Sequence, residues 1–189
     1  MQEQAYKLVV IGGSVGSVGA VMKIIPELSP NFKLPIILVL HRSATSHNGF
    51  ITNILQDKSP LFIKEAEEKE PVAQATVYVA PADHHLLIES DFTFSLDVSE
   101  KVHYSRPSID VTFESAAQHY TSNLIGILLT GANTDGAEGI AEIAKSGGLT
   151  IVQKPETAEV DTMPQAAIKT GQVQHILTLD EVINFLNNL

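Results

Sequence analysis

The 189-residue sequence has no cysteine and no tryptophan. Without a thiol it can form neither a disulfide framework nor a thiolate metal site, and a cysteine nucleophile is excluded. Basic residues are scarce as well: 12 Lys and Arg against 22 Asp and Glu leave a net charge of −10. No basic run offsets this acidity locally, and a phosphate backbone is repelled by it, so nucleic acid is excluded as a partner. Long apolar runs are also missing. Stretches such as Leu124 to Leu129 fall far short of the ~18 residues of a membrane span. The N-terminus, Met1 to Lys7, lacks the basic-then-apolar layout of a signal peptide. These absences predict a soluble cytoplasmic protein with no membrane insertion.

What is present is patterning. With 44% hydrophobic residues and a length suited to one compact unit, residues 1–189 are expected to form a single domain. Lys7 to Ile11, Ile36 to Leu40 and Leu124 to Leu129 are short, continuously apolar runs, the mark of strands buried on both faces of a parallel sheet. Helical spacing follows each: Val18, Val21, Met22 and Ile25 after the first, Phe50, Ile51, Ile54 and Leu55 after the second with Ser46 as a cap, and Ile140, Ile143 and Ala144 after the third. Between residues 60 and 105 the texture changes. Val77 to Ala80 and Leu86 to Ile88 precede a Glu89-Ser90-Asp91 turn, and Phe92, Phe94, Leu96 and Val98 then alternate strictly, which predicts an antiparallel hairpin with one face in water. Ile109, Phe113, Ala116, Ala117 and Tyr120 form a further helical stripe. Leu149 to Val152, a short helix around Met163 to Lys169, a weak strand at His175 to Leu177 and a final helix through Val182 and Leu186 complete the pattern. The predicted class is α/β: a three-layer, doubly wound, mainly parallel sheet with helices on both faces and an antiparallel hairpin addition.

In such sheets functional groups gather beyond the carboxyl ends of strands, where loops converge and helix N-termini point their amides at a ligand. The first strand is followed by Gly12-Gly13-Ser14-Val15-Gly16, the second by His41, the third by Thr130-Gly131-Ala132-Asn133-Thr134-Asp135-Gly136. Gly-x-Ser-x-Gly is the sharp turn that exposes a nucleophilic hydroxyl beside backbone N–H groups. It also suits a ligand-binding glycine loop or a plain tight turn. Gly-x-Gly-x-x-Gly is not met, because Ser14 takes the middle glycine position, and the second strand lacks the terminal acid that binds a ribose. His41 and Asp135 supply, by strand order, the imidazole and carboxylate that an attacking serine needs, although Asp135 also suits a helix N-cap. The adjacent Asp83, His84 and His85 stand at a hairpin entrance where neighbouring side chains splay apart, so no metal site is predicted there. The order Ser, His, Asp differs from that of the α/β-hydrolases and indicates another family.

Together these motifs resemble the catalytic domain of the chemoreceptor protein-glutamate methylesterases (CheB). Further similar segments run in order: Tyr78-Val79-Ala80-Pro81-Ala82-Asp83-His84-His85-Leu86, Arg106-Pro107-Ser108-Ile109-Asp110-Val111 and Met163-Pro164-Gln165-Ala166-Ala167. The resemblance implies Ser14 as nucleophile, His41 as general base and then acid, and Asp135 as the group that fixes the imidazole tautomer. It also implies a backbone oxyanion hole at Val15 and Ala132, and no metal or organic cofactor. The implied reaction is hydrolysis of glutamate γ-methyl esters on chemotaxis receptor helices to glutamate and methanol, with deamidation of receptor glutamines as a related activity. Regulated members carry an N-terminal receiver domain. Here the first catalytic strand starts within the first ten residues, so the resemblance implies a stand-alone domain, with a separate response regulator as a partner if activity is controlled. Acidic receptor helices would need local positive charge on this acidic chain, and Arg42 and Arg106 are the expected substrate-binding cations. Val15, Leu40 and Ala132 depart from the family pattern, and Val15 and Ala132 motivate the alternative of a catalytically silent or repurposed receptor-binding module.

Overall fold

The computed structural model describes residues 6–41 and 49–189. Arg42 and Ser46 lie outside the described residues. The main sheet joins β1 (Leu8–Gly13), β2 (Ile36–Leu40), β3 (Phe62–Glu65), β4 (Thr76–Val79), β7 (Leu124–Leu128), β8 (Leu149–Gln153) and β9 (His175–Leu177). Their order is β3-β4-β2-β1-β7-β8-β9, and every pairing is parallel. The predicted hairpin is β5 (His85–Ile88) with β6 (Phe94–Asp97), a separate antiparallel pair.

The central strands read as unbroken apolar runs because they are covered on both faces. All residues of β1, β2 and β7 are buried, and alternate residues feed opposite layers. Val9 and Ile11 face one core with α1 (Ser17–Ile24), α2 (Phe50–Gln56) and α6 (Leu179–Asn187). Leu8 and Val10 face the other with α3 (Ile109–Tyr120), α4 (Ala137–Lys145), α5 (Thr162–Lys169) and the hairpin. Each aliphatic side chain so enclosed contributes about 1.5–3 kcal/mol relative to exposure. No helix among the described residues is long and apolar enough to cross a membrane.

Local details depart from the sequence reading. The strand at Val77 is not part of the hairpin: β4 joins the parallel sheet between β2 and β3. The edge strand β3 is absent from the sequence reading because its polar Lys64 and Glu65 break the apolar run. In α1 the buried face is Ser17, Ala20, Val21 and Ile24, and Val18 points outward. The alternating run Phe92 to Val98 outlasts its strand, because Phe92 takes φ 62° in the turn and Val98 lies past the end of β6.

β1 lies between β2 and β7. On one side of β1 the chain passes from β2 to the edge strand β3 and returns to β4 between them; on the other it winds outward through β7, β8 and β9. The reversal of winding opens a crevice at the carboxyl ends of β1 and β7.

Candidate active site

Main-chain hydrogen bonds tie these strand ends together. The His41 N–H donates to Gly13 O at 3.1 Å, Leu129 N–H to Gly12 O at 2.8 Å and Ser14 N–H to Thr130 O at 2.9 Å. Ser14 sits in the turn into α1, where Gly16 adopts φ 81°, a left-handed conformation that disfavours a side chain. Gly136 repeats this at the entrance to α4 with φ 91°, and a Cβ there would lie 2.5 Å from Leu128 Cδ1. The two tight turns hold Ser14 and Asp135 against their strand ends.

The structure brings Ser14, His41 and Asp135 into one hydrogen-bonded chain. His41 Nδ1 is 3.2 Å from Ser14 Oγ, and His41 Nε2 is 2.7 Å from Asp135 Oδ2. Asp135 is fully buried, yet each of its oxygens has two donors. Oδ2 accepts from His41 and from Ile109 N–H at 2.8 Å. Oδ1 accepts from Ser108 Oγ–H and Asp110 N–H, both at 2.9 Å. Asp135 therefore lies against the N-terminus of α3, capped by Ser108, where the free amides and the dipole favour an anion. Burial pushes its carboxyl up, but the His41 hydrogen bond and the Asp110 and Ile109 amides outweigh burial and hold it below the ordinary carboxylate range. An ionised Asp135 keeps the proton on Nε2 and leaves the lone pair of Nδ1 facing Ser14.

Val15 and Ala132 are both exposed beside Ser14 and the β7 loop, and no described residue takes up either N–H. Arg106 donates to Asp83 Oδ1 at 2.7 and 3.1 Å and to the carbonyls of Val98 and Ser99 at 2.6 and 2.7 Å. His84 and His85 diverge. His84 Nδ1 contacts Ala82 O, whereas the buried His85 bonds Glu100 O and receives the Ser108 N–H, which fixes the start of α3.

Four residues that sequence reasoning did not place here complete the site. Thr130 Oγ1 donates to Val15 O at 2.9 Å and accepts the Val160 N–H, bracing the Ser14 turn from below. Ser105 Oγ lies 3.2 Å from His41 Nδ1. Asp110 is buried beside Asp135; its Oδ1 accepts the Gly139 N–H at 2.7 Å, and its Oδ2 has no hydrogen-bond donor but lies 3.3 Å from His103 Nε2. Burial, reinforced by the Asp135 charge against the pull of the Gly139 amide, pushes the Asp110 carboxyl up to about 7. His103, Asp110 and Asp135 have ligand atoms within 4.8 Å of one another. The lone pairs of Asp135 are already taken by four donors, which leaves two residues to hold any cation, short of a stable site.

Fold and site together define a class: an α/β domain with a Ser–His–Asp chain at the switch point of a parallel sheet. The family model for CheB methylesterase matches residues 9–186, and the chain belongs to that family. It is 48% identical over 177 residues to a Leptospira interrogans protein, covering 94% of this chain and 91% of that one. It is 37% identical over 177 residues to the protein-glutamate methylesterase/protein-glutamine glutaminase of Thermotoga maritima, of which it spans 50%. The crystal structure of the Thermotoga maritima CheB methylesterase catalytic domain superposes with a TM-score of 0.92 at 35% identity, over 97% of this chain and 98% of that one.

Proposed function

We propose that this protein is a serine esterase that hydrolyses glutamate γ-methyl esters on chemotaxis receptor helices to glutamate and methanol, and that it also deamidates receptor glutamines. The observation that carries this reading is the unbroken chain from Ser14 Oγ through both ring nitrogens of His41 to a buried, ionised Asp135. Ser14 Oγ attacks the ester carbonyl as its proton passes to Nδ1, and Asp135 stabilises the imidazolium that forms. The Val15 and Ala132 amides receive the oxyanion. The C–O bond to the methoxy group breaks as Nδ1 returns the proton to it, and methanol leaves. Water then attacks the acyl-enzyme, with His41 again as base, and releases glutamate and free Ser14. A glutamine side chain follows the same path with ammonia as the leaving group. Receptor helices are the proposed partners, with a separate response regulator as the source of control.

Methanol release from methylated receptor helices by wild type and Ser14→Ala is the direct test. Ser14→Ala is expected to be slower by about 10⁴- to 10⁶-fold with an unchanged fold. Equal release by both proteins would discard the mechanism. Absence of release by either would favour a silent receptor-binding module.

A further inference from the structure

His41 Nδ1 faces two hydroxyls. Ser14 Oγ and Ser105 Oγ each lie 3.2 Å from it, although a neutral imidazole nitrogen offers a single lone pair. Ser105 is brought there by a four-residue turn in which Val102 and Ser105 exchange main-chain hydrogen bonds of 2.8 and 3.2 Å. The central residues, His103 and Tyr104, have φ of 46° and 63°, a conformation that favours Asn, Asp or Gly and is costly for other side chains. Tyr104 recovers nothing by packing, since it is 97% exposed. The turn is pinned at two other points: His103 Nε2 lies 3.3 Å from Asp110 Oδ2, and Arg106, next in sequence, is tied to Asp83, Val98 and Ser99. The only other hydrogen-bonding partner of the Ser105 hydroxyl among the described residues is His103 O at 3.5 Å, at the limit of a hydrogen bond. A strained, pinned turn therefore delivers one hydroxyl to the base.

We propose that Ser105 is a positioning residue that holds the protonated ring of His41 during the reaction, an inference that rests on the esterase reading. Once Nδ1 has taken the Ser14 proton, Ser14 Oγ is bonded to the substrate carbon and is a poor acceptor. The new Nδ1–H then needs another acceptor until the leaving oxygen takes the proton. Ser105 Oγ supplies it, in a charge-assisted bond stronger than the neutral contact of the resting state. Ser105 does not touch the reacting carbon, so its loss should reduce the rate of the chemical step and leave substrate affinity unchanged.

The test compares wild type, Ser105→Ala and Ser105→Thr by two measurements. With a fluorophosphonate probe, Ser105→Ala should lower the maximal labelling rate of Ser14 about 10-fold at an unchanged half-saturating concentration. Ser105→Thr, which keeps the hydroxyl, should recover most of the rate. Separately, the ¹⁵N resonance of His41 Nδ1 should move in Ser105→Ala and stay near wild type in Ser105→Thr. Wild-type labelling by Ser105→Ala, or an unmoved ¹⁵N resonance, overturns the proposal. A wild type that resists the probe would overturn the esterase reading instead, and the ¹⁵N comparison would then decide the Ser105 contact without reference to activity.

Discussion

Asp110 is a carboxyl that the proposed reaction does not use, yet it lies against Asp135, the one that the proposal does use. Its Oδ2 lacks a hydrogen-bond donor, and its pKa is raised to about 7 by burial and by the adjacent Asp135. The unfolded chain releases this proton near pH 4, whereas the folded protein holds it to about pH 7. Folding thus takes up a proton in that window, and this group's contribution to stability falls as pH rises from 4 to 7, then levels. Asp135 acts in the opposite sense, because its depressed pKa favours the fold once pH exceeds the ordinary carboxylate range. Asp110→Asn keeps an oxygen for the Gly139 amide and removes the titration. Its stability relative to wild type should therefore improve by roughly 1–3 kcal/mol between pH 4.5 and pH 8. Urea unfolding at the two pH values checks this, and a constant difference would contradict it. Nothing in the local sequence distinguishes Asp110 from an ordinary first-turn helix acid. Its raised pKa arises from burial and from the charge of Asp135, 25 residues away in sequence.

At the level of elements, the site depends on how tightly α3 and α4 approach β1 and β7. Gly136 shows the constraint: at φ 91° an added Cβ would meet Leu128 Cδ1 at 2.5 Å and Ile109 Cγ2 at 2.8 Å. Gly136→Ala should cost about 3 kcal/mol from backbone strain and overpacking together, and should lower esterase activity as Asp135 shifts with its turn. Gly19, exposed within α1 with nothing within 4 Å of its would-be Cβ, is the control. Gly19→Ala should stabilise by about 0.5–1 kcal/mol through helix propensity. Chemical denaturation of both variants tests the pair, and equal effects would refute the packing argument. These elements were only partly legible beforehand. The central strands announced themselves because burial on both faces forces continuous apolar runs. β3 did not, because an edge strand tolerates charge.

For the molecule as a whole, the net charge of −10 opposes the approach of the proposed substrate, an acidic receptor helix. Repulsion falls as salt screens it, so kcat/KM on receptor helices should rise roughly two- to fivefold between about 0.02 and 0.2 M ionic strength. A fall would reveal a local basic docking site and direct attention to Arg42. Ser14, His41 and Asp135 could be read from the sequence because each follows a buried strand, and strand ends are where a parallel sheet places its chemistry. The sequence by itself thus determined the α/β class, the hairpin and the three residues of the chain, since periodicity and strand-end position are local properties. Only the tertiary structure decided that β2, β1 and β7 are neighbours, that Nδ1 faces Ser14, that α3 caps Asp135 with its amides, and that Ser105 reaches across 64 residues to His41. These contacts join segments far apart in the chain, and their geometry is set by packing, which leaves no periodic trace in the order of residues.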